Sequence, residues 1–485
     1  MSFPAGLAAF SLDVVYLTIG LFFLLDGVSW LPIGRAFFAP AGGAIASPQV
    51  SRLLWGGWMV FSAMLLFPNP WTRWGASIAL WTFTRHYFIR LRWATPRRGG
   101  GAPGFMNDFT ARLLVFFSSA VLFDRSGYLG QAVLWIGRLD LVAIVGCAGL
   151  YKLLSGYARG EGMEFGMVNP MWGYAWKFWG ALAPSSFVFR FWNQAGWCSE
   201  LLAAVFLLTP FWGLGVFLVS AGFLAVAGMI RLGRLAFLMA FLPILFFPFL
   251  ADDLLAQAQR HGILALPAGS RDWVVAGVVG WAVLLLLTKV VQYFNLLKKK
   301  KVWSPLQKIA DGFGQIWPVI LWRVFTSDIT NFFVRIRRPG DPGDGWLVHE
   351  ETTYRYGWKS WKNPWAKLRF LHVTESIALA SIFTQLKYYP SDPGRFRQRI
   401  LAYAASLPDS TPSDGIWEFH LMQIEKGAEG FHFQPTRIYR VEVASQRVEE
   451  TWRRPDDRFA EAHEGSSMTH SAEPGVYWSK KLCAE

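Results

Sequence analysis

The sequence predicts an all-α polytopic membrane helix bundle of about nine spans, followed by a C-terminal soluble α+β domain. Of its 485 residues, 53% are hydrophobic and only 16% are charged, whereas soluble domains carry about 25% charged residues. Long apolar runs recur as far as residue 295, and the sequence becomes charged after about residue 345. We therefore divide the chain into a bundle (8–295), an interfacial helix with a linker (296–345) and a soluble α+β domain (346–485).

The bundle is predicted from apolar runs that are long enough, or nearly so, to cross a hydrocarbon core of about 30 Å. These runs are 10–31, 51–68, 72–92, 110–125, 131–154, 197–212, 213–231, 234–252 and 273–294. Between the fifth and sixth runs lies "MWGYAWKFWGALAPSSF", which is rich in tryptophan and broken by glycine. This composition favours an interfacial or re-entrant helix.

Orientation follows from the lysines and arginines of the short loops. Every odd-numbered loop is basic, whereas the even-numbered loops carry few positive charges or are acidic. Because basic loops stay in the cytoplasm, we expect a multi-pass protein of the cell (cytoplasmic) membrane, with the N-terminus outside and the C-terminal domain in the cytoplasm. The basic residues are Arg35, Arg52, Arg90, Arg92, Arg97, Arg98, Lys177, Arg190, Arg231, Arg234 and the lysines at 298–301.

The formal net charge of +14 arises mainly in these loops. Such a distribution is typical of membrane topology and of contact with anionic lipids. The sequence lacks a nucleic-acid-binding motif. We therefore expect the lipid bilayer as a partner, and no nucleic acid.

The segment after the bundle has two open interpretations. Residues 304–325 mix apolar and polar positions, which favours a surface-lying helix, while a tenth span would move the C-terminal domain to the other side. In residues 354–370, aromatic residues alternate with basic ones. This pattern is typical of an interfacial anchor and also of an edge strand with a solvated basic face, and both interpretations stay open.

The C-terminal domain is predicted from its local patterns. Residues 375–386 and 394–407 have helical apolar spacing. The stretches "IWEFHLMQI" and "FHFQPTRIYRVEV" alternate apolar and polar residues around "EKGAEG", which predicts a β-hairpin.

Lys152 is the most unusual residue of the bundle. It lies in "GLYKLLSGYARGEGMEFG" (149–166), near the expected cytoplasmic end of the fifth span. One interpretation is a lysine that snorkels to the interface. The other is a lysine inside a polar cavity, available as a base or as a partner for an anion.

Other ionisable residues also fall within or beside the spans. Asp13 and Asp26 belong to the first run, Arg138 and Asp140 to the fifth, and Glu200 lies at the start of the sixth. We expect Arg138 to pair with Asp26 or Asp13 as a structural contact between helices.

The sequence predicts no metal site. Its three cysteines form no CxxC or Cys/His metal-ligand spacing. His86 is the only histidine within a predicted span, while His420 and His432 could approach each other across the hairpin.

The stretch "AGLYKLLSGYARGEGMEF" (148–165) resembles a segment of vitamin K-dependent gamma-carboxylase and of its family, the HTTM (horizontally transferred transmembrane) domain family. The resemblance covers about residues 10 to 300, with a weaker likeness to lipase maturation factors in "RFWNQAGWCSELLAAVFLL" and "FLADD". The matching residues are Ala148, Gly149, Lys152, Leu153, Tyr157, Gly160, Met163, Glu164 and Phe165, with Asn107, Arg112, Leu113 and Leu114 upstream.

The resemblance implies that Lys152 is a catalytic base towards vitamin K hydroquinone or another membrane quinol. The deprotonated quinol, once oxygenated, would then act as the base that abstracts a proton from a substrate glutamate, and CO2 would add to that glutamate. For the quinone or lipid head group we assign Arg138, Tyr157, Glu164 and Asn107 as candidate binding residues. Two function classes stay open: an enzyme with carboxylase/epoxidase-like chemistry, and a non-catalytic accessory subunit or assembly/folding factor of a membrane complex.

Overall fold

The computed structural model describes residues 11–30, 48–85, 101–231, 234–246, 248–297, 304–317, 330–339 and 415–457, with short pieces between 379 and 407. In this part, the protein is mostly helical and carries one small C-terminal sheet. His86, the lysines at 298–301, residues 318–325 and the stretch 354–370 lie outside the described residues.

The described helices follow the apolar runs for most of the bundle. They are α1 (Ser11–Trp30), α2 (Pro48–Met64), α3 (Pro70–Phe83), α4 (Gly101–Phe123), α5 (Tyr128–Leu154), α6 (Met163–Val168), α7 (Trp176–Gly180), α8 (Phe187–Leu207), α9 (Trp212–Met229), α10 (Arg234–Phe241), α11 (Pro248–His261), α12 (Ser270–Leu297), α13 (Ser304–Ile316) and α14 (Pro393–Ala405). The strands are β1 (Phe332–Arg337), β2 (Ile416–Lys426), β3 (Phe431–Glu442) and β4 (Arg447–Arg453).

Three of the described helices are long and apolar enough to cross a membrane. They are α5, α9 and the stretch Ser270–Val291 of α12. The 27 residues of α5 span about 40 Å at 1.5 Å per residue, which exceeds a hydrocarbon core of about 30 Å.

Local sequence explains several helix boundaries. Asn69 precedes α3 and its side chain accepts hydrogen bonds from the backbone of Trp71 and Thr72, at 3.0 and 3.1 Å. Gly127 precedes α5 with a φ of 80°, and a Cβ there would lie 2.0 Å from the side chain of Leu255. Glycine is therefore required at this junction by conformation and by space.

The run 234–252 does not form one helix. The eight residues of α10 are followed by a 3-10 turn at Leu242–Phe246, and α11 begins at Pro248. Pro243 and Pro248 lack the backbone N–H that a continuous helix needs. Instead, α11 buries Asp253, whose Oδ2 accepts a hydrogen bond of 2.7 Å from the backbone of Leu12 at the start of α1.

The C-terminal sheet is antiparallel throughout, with the order β1-β2-β3-β4. The predicted hairpin is confirmed, since Lys426 of β2 pairs with Phe431 of β3 across a four-residue turn. The helix predicted at 394–407 is also confirmed as α14, whose Phe396 packs against Tyr439 with ring centroids 4.9 Å apart. β1 lies in the segment assigned to the linker, so the sheet begins before residue 346.

The sheet packs against the connection between α5 and α8, which contains α6 and α7. Phe431 contacts Phe189 of α8, and Phe433 contacts Trp176 of α7, with ring centroids 5.6 and 5.9 Å apart. The strands and the bundle residues beneath them share one hydrophobic core. The sheet is thereby positioned at the Lys152 end of α5.

Candidate functional site

Lys152 lies in the last turn of α5 and points towards α8. Its Nζ donates a hydrogen bond of 2.6 Å to Oε1 of Glu200, and the two side chains are only 14% and 11% exposed. Gly149, one turn earlier, allows the two helices to approach closely, because a Cβ there would lie 3.0 Å from the backbone nitrogen of Leu201. The sequence "AGLYKLL" therefore places the lysine against an acid of the neighbouring helix.

This ion pair lines a cavity of about 260 Å³ between α5, α8 and α9. The rest of the lining is almost entirely apolar, since Val145, Leu218 and Val219 contribute to it with other hydrocarbon side chains. Small residues of α8 and α9 keep the space open: Ala195, Gly196, Ser199, Ala221, Gly222 and Ala225.

Glu200 offers the cavity a second polar atom. Its Oε1 is occupied by Lys152, whereas its buried Oε2 has no hydrogen-bond partner within the part of the chain that the structure describes. A buried acceptor without a donor is costly. The ion pair can therefore still accept a hydrogen bond from a molecule in the cavity.

Tyr157 lies beside the ion pair. Its ring centroid is 6.0 Å from Nζ of Lys152, and the side chain is fully buried. The residue begins a short 3-10 turn between Gly156 and Gly160, which have φ values of 116° and 86°. These left-handed conformations favour glycine.

Glu164 is fully buried on α6, next to Met163 of the cavity lining. Its Oε1 forms an ion pair of 2.5 Å with Nζ of Lys426. Its Oε2 accepts hydrogen bonds from Nδ2 of Asn193 at 2.8 Å and from the backbone of Gly162 at 3.0 Å. Glu164 thus connects the sheet to the wall of the cavity.

Arg138 is not brought to the cavity. It is 14 residues from Lys152 on α5, which corresponds to about 21 Å. Its guanidinium donates to the backbone oxygen of Leu207 and, at 2.9 Å, to that of Thr209. Arg138 therefore caps the C-terminus of α8, where its positive charge also interacts favourably with the negative end of the helix dipole.

The predicted pairing of Arg138 with Asp26 or Asp13 is wrong, because Arg138 bonds to these backbone oxygens instead and Asp13 forms an ion pair with Arg73. The expectation that charges within the bundle join its helices is met by other residues. Arg112 of α4 donates a hydrogen bond of 3.1 Å to Asp140 of α5, and Trp317 donates to the same carboxylate at 3.2 Å.

Asn107 lies on α4 beside this second group of charges. It is fully buried, and neither atom of its amide has a hydrogen-bond partner among the described residues. The neighbouring Asp108 accepts a hydrogen bond of 3.2 Å from Trp81. Asn107 does not line the cavity of Lys152.

The two histidines of the hairpin do not face each other. His420 pairs with Ile438 in the strand register, and His432 pairs with Glu425. A separation of five residues along β2 corresponds to about 17 Å. The described residues contain no group of three or more potential metal-binding His, Cys, Asp or Glu side chains.

His420 contacts Glu418 at 3.2 Å, and Arg337 donates a hydrogen bond of 2.7 Å to the same carboxylate. Burial lowers the pKa of His420, and its hydrogen bond with Glu418 only partly offsets this effect. For Glu418 burial acts to raise the pKa, but the hydrogen bonds from Arg337 and His420 outweigh it and lower the pKa below its ordinary value.

Glu200 and Asn193 are the site residues whose role the sequence did not reveal. Glu200 was recognised as an acid at the start of a span, but its partner depends on which helices are neighbours. The available signal was its position at the start of the sixth apolar run, which brings the acid close to the end of the fifth run if the two runs form neighbouring antiparallel helices.

Comparison of the chain with protein families, curated proteins and solved structures finds no match in any of the three.

Proposed function

We propose that this chain is an integral membrane protein of the HTTM type that binds the head group of a quinone, or of another neutral lipid, in the cavity between α5, α8 and α9. The observation that carries the proposal is the buried ion pair of Lys152 and Glu200 in the wall of an otherwise apolar cavity. Ionisable groups inside a membrane bundle are expensive and usually mark a ligand or ion site.

The charge of the site favours a neutral ligand. Lys152 and Glu200 compensate each other, so an anionic head group beside the lysine would also face the carboxylate of Glu200. A neutral group that accepts from Nζ and donates to the unpartnered Oε2 satisfies both residues. A quinone carbonyl can accept from Nζ, and a hydroxyl of the quinol form can also donate to Oε2, so this class of head group fits the site better than a phosphate does.

The size of the cavity favours a head group without its tail. Its volume of about 260 Å³ lies slightly below the range of about 300–1,000 Å³ that is typical of sites enclosing a whole drug-sized ligand. An isoprenoid or acyl tail would therefore remain in the bilayer.

A membrane setting is supported by the surface of the helices. Leu202 of α8, Phe217 of α9 and Leu286 of α12 are at least 50% exposed, as lipid-facing side chains are. We propose about nine crossings, with residues 234–261 contributing one of them through a broken helix. The sheet packs on the α5–α8 connection, so both belong on the same side, and the basic charges assign that side to the cytoplasm.

Geometry supports binding more directly than catalysis. A catalytic base must accept a proton, whereas Nζ of Lys152 uses a proton to donate a hydrogen bond to Oε1 of Glu200. The carboxylase/epoxidase-like chemistry that the resemblance implies would therefore require the ligand or Glu200 to take that proton first. Binding requires no such change.

The test is to identify what the protein retains through purification in mild detergent. Gly222→Leu adds a side chain to the cavity wall at a position with space for it, because a Cβ at Gly222 meets only Oγ of Ser199, at 3.8 Å. Gly228→Leu on the same helix is the matched control, since no atom lies within 4 Å of its Cβ position. Decylubiquinone and phosphatidylglycerol, added to lipid-stripped protein, distinguish a neutral from an anionic head group.

We expect decylubiquinone to bind the natural chain and Gly228→Leu, and Gly222→Leu to lose affinity by about tenfold or more, equivalent to about 1.4 kcal/mol. Lys152→Met should lose affinity as well. Equal binding by the Gly222→Leu protein would refute the site. Oxygen consumption with a quinol that disappears in Lys152→Met would support the enzyme. A fixed partner that co-purifies with both proteins, without any quinone, would favour the accessory subunit.

A further inference from the structure

We infer that the C-terminal sheet regulates the cavity of Lys152, and that Lys426 is the positioning residue through which it acts. The inference rests on the proposed function for its ligand, but the contacts that carry it are independent of the ligand's identity. They run from the end of β2, through Glu164 and Asn193, to Met163 in the cavity lining.

The first step joins the sheet to α6. Lys426 is the last residue of β2, and its Nζ lies 2.5 Å from Oε1 of Glu164. The same Nζ lies 3.3 Å from the backbone oxygen of Gly160, to which it donates, and 4.9 Å from the ring of Phe165. The ammonium is thus held against the connection that follows Lys152.

The second step joins Glu164 to two walls of the cavity. Oε2 of Glu164 accepts from Nδ2 of Asn193, and Oδ1 of Asn193 accepts from the backbone of Met163, both at 2.8 Å. Met163 lines the cavity from α6, and Trp192, the residue before Asn193, lines it from α8. One carboxylate therefore fixes the distance between these two walls.

The third step is electrostatic. Glu164 is fully buried, whereas Lys426 is 26% exposed and arrives from a separate element of the fold. A buried carboxylate that loses its cation is no longer compensated and is driven towards water. Movement towards water breaks the bond to Asn193, so the position of the sheet and the shape of the cavity are linked. By the reciprocity of linkage, a ligand that favours the closed cavity also favours the docked sheet.

A thiol in the cavity tests this inference without a ligand. The full-length chain with Cys147, Cys198 and Cys483 replaced by alanine receives Ser199→Cys, at a small cavity-lining position. Its rate of modification by N-ethylmaleimide then reports access to the cavity. We expect Lys426→Met to raise this rate by about fivefold or more, and Lys426→Arg to restore the original rate.

Two further variants separate regulation from general damage. The double variant Lys426→Met/Glu164→Gln removes the uncompensated charge, so its rate should return towards that of the parent. Arg447→Met removes an exposed cation of β4, whose side chain is 63% exposed, and should leave the rate unchanged. An unchanged rate in Lys426→Met, or a double variant as reactive as Lys426→Met alone, would overturn the inference.

Binding of decylubiquinone to the same proteins distinguishes the two proposals. If the rates behave as expected and no variant binds the quinone, the regulation stands and the proposed ligand fails. If the parent binds the quinone and Lys426→Met binds it with equal affinity and equal thiol rate, the ligand stands and the regulation fails.

Discussion

Replacement of Asn169 by alanine should release the C-terminal sheet from the bundle. Nδ2 of this fully buried residue donates to the backbone oxygens of Thr330 and Phe332, at 2.7 and 2.8 Å, just before and within β1. Its Oδ1 accepts from the backbone of Met171 at 2.8 Å. Only the two bonds to the segment of β1 are lost when the sheet undocks, and at about 1 kcal/mol each they amount to about 2 kcal/mol, which corresponds to an increase of about 30-fold in the undocked fraction.

The assay is cleavage by trypsin after Arg335 or Arg337, because a protease needs an extended free backbone and both residues are paired with β2 while β1 is in the sheet. Under conditions where opening and closing are faster than cleavage, the cleavage rate follows the undocked fraction. Asn69→Ala, which removes the cap of α3 at a distance from the sheet, is the control and should leave this rate unchanged. An increase below about fivefold, or about 1 kcal/mol, would show that Asn169 does not anchor the sheet.

Three further outcomes are expected. Arg138→Met should lower the stability of the bundle by about 3 kcal/mol, because it removes two charge-assisted bonds to the C-terminus of α8; thermal unfolding in detergent measures this, and an unchanged midpoint would contradict the cap. Arg112→Met should cost about 3–5 kcal/mol by leaving the carboxylate of Asp140 without this guanidinium, whereas the double variant Arg112→Met/Asp140→Leu should recover part of the loss in the same assay. The sheet should lose stability as pH falls below about 6.5, because the unfolded chain then protonates His420 while the folded chain, in which the pKa of His420 is lowered, does not. A second loss should follow below about 4.5, because the unfolded chain then protonates Glu418 while the folded chain, in which the pKa of Glu418 is also lowered, does not. Denaturant titrations over this pH range should show that the free energy of unfolding changes less steeply with pH in His420→Gln. An identical dependence on pH would show that this histidine does not cause the loss.

Local patterns in the sequence predicted most helices and the hairpin, because periodicity and turn residues act over short distances. The hairpin of β2 and β3 needs only two alternating runs and the glycines of its turn. β1 was missed because its partner β2 lies about 80 residues further along the chain, and six residues of "FFVRIR" carry no signal that separates a strand from the end of an apolar helix.

The broken run at 234–252 shows the opposite case, in which local chemistry decides and hydropathy misleads. A window average over this run stays apolar despite Pro243 and Pro248, because their neighbours outweigh them, but each proline removes a backbone donor. The 3-10 turn between α10 and α11 follows from these prolines.

The candidate site could be predicted only in part. Lys152 was identified from its charge within an apolar run and Glu164 was assigned to its site, whereas the pairing with Glu200 depends on which helices are the neighbours of α5. The close approach of α5 and α8 at Gly149 makes Glu200 the partner of Lys152. The position of the sheet makes Glu164 the partner of Lys426. Arg138 could not be assigned from sequence, because its partners are backbone oxygens, which every residue possesses.

The 261 residues between Glu164 and Lys426 impose an order on biosynthesis. At about 5–20 residues per second, the ribosome needs tens of seconds to deliver the lysine after the acid has emerged. During that interval the nascent bundle presents α6 and its carboxylate without their lid of strands. The strands that are translated last thus cover the surface of α6, which was synthesised much earlier. A chain that terminates early leaves this surface accessible to proteases of the quality-control system.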